Sequence, residues 1–371
     1  MRVSNLKISQ RRGRCEFSAS VKCDTFWVWG NKPFRLWYQF PAGFAPYLDE
    51  QNGDPFVAAL LAPAMVLGER LEIDAEVSPQ LLQSVSKIQK LYRNWFPALK
   101  EIPVEARPRR AGINLKTSGE GLFFSLGADS FYSLLKQPES ISHLITVEGF
   151  DVYLWEQARY PAVLENFNRV ARELGKTPIH VKTNLREFSD RMADWVDLYH
   201  GAALASVALS LPNLFQRIRI AATHNTRELM PLGSHPSLDY LWSTESLTFT
   251  HDGAEASRLQ KLRSIAKSSL ALQTLRVCAI STEAAIYNCG TCPKCLMTMV
   301  GLHVAGALER CVTLPAQVDP ELLGTISVTN ATQRVYLEEL AGALGDSATD
   351  LSIKHALDQC LGRAERYEQV A

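Results

Sequence analysis

At 371 residues the chain exceeds one ordinary domain, which predicts two units or one unit with a large elaboration. Lys plus Arg and Asp plus Glu both number 39, so no global charge draws it to phosphate backbones or anionic lipid; a nucleic-acid partner is not expected, short of a local patch such as RPRR at 107–110. A 46% hydrophobic and 21% charged composition excludes long disorder, collagen and coiled coil; with no membrane-length apolar run and no apolar signal core in MRVSNLKISQRRGRC, the expectation is a cytoplasmic protein without membrane contact.

Residues 1–110 open with alternating, aromatic-rich runs, EFSASVKC, TFWVWG and FRLWYQF, that predict strands. Their Phe26, Trp27, Trp29, Trp37, Tyr38 and Phe40 alternate with other apolar residues and read as core rather than as a base-stacking platform. A helix is expected over SPQLLQSVSKIQKLYRNWFPAL, whose apolar residues recur three and four apart behind Ser78 as N-cap and Pro79. EIPVEARPRRAG then loses the period, which places a boundary near 110 after a smaller N-terminal α+β domain.

Beyond it, short apolar runs alternate with helical stretches. Strands are expected at 121–125, 143–149, 178–182, 217–223 and 246–251, with helices from Ser130, over 155–175 and from Arg186 to about Ser210. The fold class is therefore α/β: a doubly wound parallel five-stranded sheet in a domain spanning 111–310. Residues 311–371 read as a helical C-terminal extension offering packing or oligomer surface, and a homodimer stays open.

GLFFSLGADSFYSLLK joins a strand to a helix through a Ser- and Gly-rich turn. Unpaired N–H groups and the dipole at such a helix start favour an anion. Gly127 permits close approach, Ser125 and Ser130 add hydroxyls, and Asp129 either caps the helix or holds a magnesium ion bridging phosphates; plain helix capping is the competing reading. The string SLGADS resembles the SGGxDS pyrophosphate-binding loop of the N-type ATP pyrophosphatases, with Leu126 in place of a glycine. The resemblance implies the HUP/PP-loop type of sheet, with Ser125, Leu126, Gly127, Ala128, Asp129 and Ser130 on ATP, Asp129 and Ser130 as catalytic residues, and adenine laid against the strand end at Val147 and Gly149. A leucine that must adopt positive φ at position 126 would bring activity into doubt.

Cys278, Cys289, Cys292 and Cys295 form C-x10-C-x2-C-x2-C, a spacing that converges four thiolates on one ion. Zinc so enclosed is structural, since no position is left for water or substrate; an iron–sulfur cluster competes for the same ligands, and free thiols or a redox pair explain four cysteines less well. Together with the upstream loop, NCGTCPKC resembles the array of the 7-cyano-7-deazaguanine synthase family over about 120–300.

The loop 224–246, long and rich in polar, Pro and aromatic residues, is expected to order around substrate. Candidate contacts are His235, Asp239, Ser243 and Glu245, then His251 and Asp252 at the next strand end, each competing with an ordinary turn-forming role. Arg258, Lys261 and Arg263 read as a solvated helix face by default, with steering of an anion as the alternative.

The resemblance implies adenylation of a carboxylate or amide oxygen on a small purine- or deazapurine-like substrate, with ATP, Mg2+ and Zn2+ as cofactors. Ammonia or an amine, from a nitrogen donor protein where one is needed, then displaces AMP. Sulfur insertion through the same adenylate, with a sulfur donor protein, is one alternative, although only Cys15, Cys23, Cys311 and Cys360 remain to carry sulfur. An inactive nucleotide-binding module is the other.

Overall fold

The computed structural model describes residues 1–25, 32–110, 118–278, 280, 284 and 286–368. Period-two alternation builds the first strands: β1 (Arg2–Arg11), β2 (Arg14–Lys22) and β3 (Phe34–Pro41) form an antiparallel meander. Cys15, Phe17, Ala19 and Val21 of β2 turn inward, and so do Tyr38 and Phe40 of β3. TFWVWG, expected as a strand, lies outside the described residues from Phe26 onward.

Periodicity does not announce the next element. In α1 (Asp54–Leu67) every residue from Asp54 to Met65 is buried, because DPFVAALLAPAMVL has no polar face to turn outward and the helix is enclosed on all sides. Gly68, at φ 70°, ends it. β4 (Leu71–Val77) returns parallel to β1, and α2 (Pro79–Trp95) starts where expected, with the Ser78 hydroxyl accepting from Leu81 N. The aperiodic segment before 110 holds β5 (Val104–Pro108), an edge strand beside β4 that closes on a proline.

All five strands expected in the second half are present: β6 (Gly119–Phe123), β7 (His143–Glu148), β8 (Thr177–Thr183), β9 (Phe215–Ala221) and β10 (Thr248–Asp252). Helix α3 (Ala128–Lys136) follows β6, and α4 (Tyr160–Glu173) begins five residues later than the stretch from 155. The helix expected from Arg186 is instead α5 (Leu185–Ser189), a π-turn over Trp195–Tyr199 and α6 (His200–Leu209). Among themselves these strands pair in parallel, in the order β10-β9-β6-β7-β8, which puts the first of them between the second and the fourth.

The two halves share one sheet. β3 pairs antiparallel with β8 through Tyr38↔Thr183 and Gln39↔Lys182, and the Asn184 side chain extends the ladder by accepting from Trp37 N and donating to Arg35 O. The result is one mostly parallel ten-stranded sheet, β10-β9-β6-β7-β8-β3-β2-β1-β4-β5. On one face α1 packs against α6 over a core including Phe17, Tyr38, Phe56, Tyr199 and Ile218. On the other, α3 and α4 meet α8 (Arg258–Ile265), α9 (Ser269–Thr274) and α10 (Pro293–Val304) around Phe124, Phe131, Phe167, Leu262 and Met299. The short α7 (Pro236–Asp239) lies in the loop before β10, and α11 (Pro320–Leu323), α12 (Ala331–Ala343) and α13 (Ala348–Glu368) enclose a third core with α10. Among the described residues no helix is long and apolar enough to cross a membrane.

Candidate functional site

In an open parallel sheet, a ligand crevice forms at the carboxyl ends of neighbouring strands whose connections leave in opposite directions. Here those strands are β6 and β9. The turn leaving β6 is anchored at both sides: Phe124 N donates to Ile145 O (2.8 Å) and Arg276 N donates to Leu126 O (2.9 Å). Leu126 adopts φ 64°, the left-handed conformation in which a side chain costs on the order of 1 to 2 kcal/mol. Its side chain is fully buried among Phe124, Phe131 and neighbouring core residues, which returns about 2 kcal/mol and keeps it out of the crevice. Gly127 N-caps α3, and the Ser130 hydroxyl donates to Gly127 O (3.0 Å). The unpaired N–H groups of the first turn of α3 therefore face the crevice with the positive end of the dipole.

Asp129 is paired twice, through Oδ1 with Lys261 Nζ and through Oδ2 with Arg258 Nη2, both at 3.1 Å. Lys261 also donates to Ala222 O (2.5 Å) at the end of β9 and is buried. The solvated-face reading of α8 thus fails for Lys261, which turns inward because Asp129 and a carbonyl receive its charge; of the three basic residues Arg258, Lys261 and Arg263, the last alone is exposed. One carboxylate against two cations leaves this edge positive. His224 stands within reach of both: burial, then the Arg258 and Lys261 charges, lower its pKa to about 4 and keep it neutral.

At the neighbouring strand end, Val147 lies in the β7–β8 ladder opposite Val181. Gly149 adopts φ 104°, and a Cβ there would sit 2.1 Å from Thr183 O, so the turn after β7 admits only glycine. Glu148 pairs with Lys182 (2.8 Å) and His180 (3.2 Å); burial would raise its carboxyl, but these bonds hold it below the usual range.

The structure divides the candidate substrate residues. Asp239, fully buried on α7, accepts from His251 Nδ1 (2.7 Å) through Oδ2, which also receives the Ser234 hydroxyl (2.7 Å). His235 N donates to Asp239 Oδ1 (3.3 Å), while the His235 ring caps α7 by accepting from Ser237 N and meets Trp95 edge-on at 4.9 Å. Asp239, His251 and His235 are therefore one cluster. Glu245 belongs elsewhere: it accepts from Ser78 Oγ (2.7 Å) and Gln80 N (2.8 Å), compensating the start of α2. Asp252 is bound by Lys136 (2.8 Å) and Arg219 (3.4 Å), and the Ser243 hydroxyl accepts from Phe249 N (3.0 Å).

The Sγ atoms of Cys278, Cys289, Cys292 and Cys295 all lie within 4.8 Å of one another, a cluster able to hold a metal ion. Cys289 Sγ and Cys295 Sγ are 3.8 Å apart, against edges of about 3.8 Å for a tetrahedron of thiolates round zinc. Thr291 N and Cys292 N donate to Cys289 Sγ (3.4 and 3.2 Å); burial opposes ionisation there, yet these bonds hold the thiol below its ordinary value. Behind the ligands, Asn288 Oδ1 accepts from Val277 N and Cys278 N while its Nδ2 donates to Leu275 O and Thr313 O, clamping the chain that enters the cluster.

Sequence reasoning passes over His224 and Arg276. A histidine in a polar loop and an arginine in the run TLRVC carry no spacing signal, and only the fold brings them to this crevice. The widths of two-residue gaps in a cysteine cluster, in contrast, are legible without any fold. No family model, curated protein or solved structure matches the chain.

Proposed function

We propose that this chain is an adenylating ATP pyrophosphatase whose β6–β10 half is a HUP/PP-loop sheet, acting on a small purine- or deazapurine-like substrate. The observation that carries the reading is the placement of Ser125–Leu126–Gly127 and the start of α3 at the crevice between β6 and β9, with Lys261 and Arg258 at its edge. The β- and γ-phosphoryl groups of ATP occupy the turn, and adenine lies toward Val147 and Gly149. A carboxylate or amide oxygen of the substrate attacks the α-phosphorus, and the bond to the bridging oxygen breaks as pyrophosphate leaves with its electron pair. Ammonia or an amine then adds to the activated carbon and AMP departs with the electron pair of its C–O bond. His251, whose Nδ1 is fixed by Asp239, takes the amine proton at Nε2.

Both oxygens of Asp129 already meet cations, so Mg2+ would arrive with the nucleotide phosphates and would offset their charge. Zinc, held by the four cysteines, supplies a closed structural centre. Nitrogen is favoured over sulfur because Cys15, Cys311 and Cys360 are buried with their thiols pushed up by burial, and Cys23 is raised to about 11 by burial and then by Glu69. The non-catalytic reading draws on the positive φ of Leu126, but its side chain is in the core.

The test is incubation with ATP, inorganic pyrophosphatase, ammonium and pooled small carboxylates and amides, followed by mass spectrometry. AMP formed in step with an amide or nitrile product supports the reading. Release of ADP, or a protein that calorimetry shows to bind no nucleotide, overturns it.

A further inference from the structure

Two arginines lie buried where α4, the turn after β7 and the chain entering the cysteine cluster meet. Arg159 is held through its terminal nitrogens: Nη1 reaches Glu156 Oε2 (3.1 Å) and Ile280 O (2.5 Å), and Nη2 reaches Cys278 O (3.1 Å), with only its Nε left unpaired. Arg276 is 6% exposed, its Nε is sealed from solvent without a hydrogen-bond partner, and among the described residues no carboxylate stands within ion-pair distance of it. Burial works against its charge, and Asp151, on the turn after β7, only partly offsets that. Its own backbone N–H is fastened to Leu126 O in the turn after β6. A buried guanidinium without a direct partner among the described residues is costly, and most such groups have one.

The partner that the described residues do not supply fits an anion. The site lies between two strand ends, the first turn of α3 adds N–H groups of the same polarity, and Asn288 holds the backbone on both sides of Arg276 through Leu275 O and Val277 N. A guanidinium presents a planar fork that fits two phosphoryl oxygens. We propose that Arg276 binds the phosphoryl group nearest the nucleoside, the one lying between the turns after β6 and β7. This rests on the nucleotide reading given above and adds to it a residue and a subsite: Ser125–Gly127 hold the terminal phosphoryls and Arg276 the α-phosphoryl. The cysteine cluster then has a task at the site, since it fixes the chain that carries Arg276.

The experiment compares AMP with adenosine as calorimetric ligands of the metal-loaded protein, with pyrophosphate as a third probe. In the wild type AMP binds more tightly than adenosine. In Arg276→Gln AMP weakens by about ten- to a hundredfold while adenosine is unchanged, and the melting temperature without ligand is equal or higher, because a lone buried charge has gone. A merely structural arginine would instead lower that melting temperature and leave the ratio of the two affinities intact, which overturns the assignment. Should Arg276→Gln not fold, Arg276→Lys decides, since it keeps the charge and loses the fork: weakened AMP with unchanged adenosine supports the proposal, and two unchanged affinities overturn it. If the wild type binds none of the three probes, the nucleotide reading itself fails; if it prefers AMP and the variant does too, only Arg276 is wrong.

Discussion

At the scale of single residues, Leu126 shows how a deviation from a glycine-rich turn is sustained. Its left-handed backbone costs on the order of 1 to 2 kcal/mol, but its side chain fills a fully buried position. Leu126→Gly relieves the first and empties the second, and cavity formation at a buried leucine costs about 3 to 5 kcal/mol, so the cavity wins. A net destabilisation of about 1 to 4 kcal/mol in urea unfolding is expected; a more stable variant would show that the strain dominates. His224 carries a second prediction. Its pKa of about 4 lies below the ordinary histidine value near 6.5, so the unfolded chain binds the extra proton between these limits and stability falls as pH drops through that window. From pH 7 to pH 5 the contribution is about 2 kcal/mol. His224→Gln should lose that much less stability than the wild type over the same interval, and parallel pH profiles would refute the assignment. Leu126 stands out in sequence as a leucine where a glycine is expected, but where its side chain goes, like the burial of His224, is set by distant neighbours.

Among elements, legibility followed local pattern. The strands β6 to β10 were readable because each is a short apolar run between polar turns, and α2 because its cap and its period agree. Helix α1 was hidden by its uniform apolarity, and α5 to α6 looked continuous because the π-turn at Trp195–Tyr199 leaves no mark in residue type. The four cysteines were legible from spacing alone, whereas their connection to the turn after β6 was not: it runs through Arg276 N to Leu126 O and through the Asn288 clamp. That connection makes metal removal informative. Unligated thiols this close have no reason to stay together, so chelation should free the chain from Leu275 to Cys295 and, through the lost Arg276–Leu126 bond, the start of α3. Hydrogen exchange at Arg276 and Phe131 should quicken by about ten- to a hundredfold, with the β1–β3 meander unchanged. Exchange that stays slow at Phe131 while Arg276 opens would mean that the turn does not depend on the cluster. Metal analysis of the released ion settles zinc against iron.

For the whole molecule the governing fact is that one sheet carries both halves. Composition and period change near 110, yet Tyr38 pairs with Thr183, and no local pattern can announce a pairing between strands so far apart in the chain. The joint reaches beyond the ladder. Tyr199 OH donates to Ala59 O (2.6 Å), Asn52 Nδ2 to Leu209 O (2.8 Å) and Tyr38 OH to Ser206 Oγ (3.1 Å), all buried. Helix α6 has no polar face and is covered by α1, itself enclosed. A protein cut to residues 118–371 would expose that helix, leave these groups without partners and turn β8 into an open edge. It should fail to give a cooperative melt and should bind a hydrophobic dye or aggregate, although every residue of the turn after β6 and of the cysteine cluster is retained. Co-expression with 1–110 should restore the melt, because the lost surface is supplied in trans. A monomeric 118–371 fragment with a sharp transition would instead establish that the parallel half folds alone and that the N-terminal meander is an attachment to it.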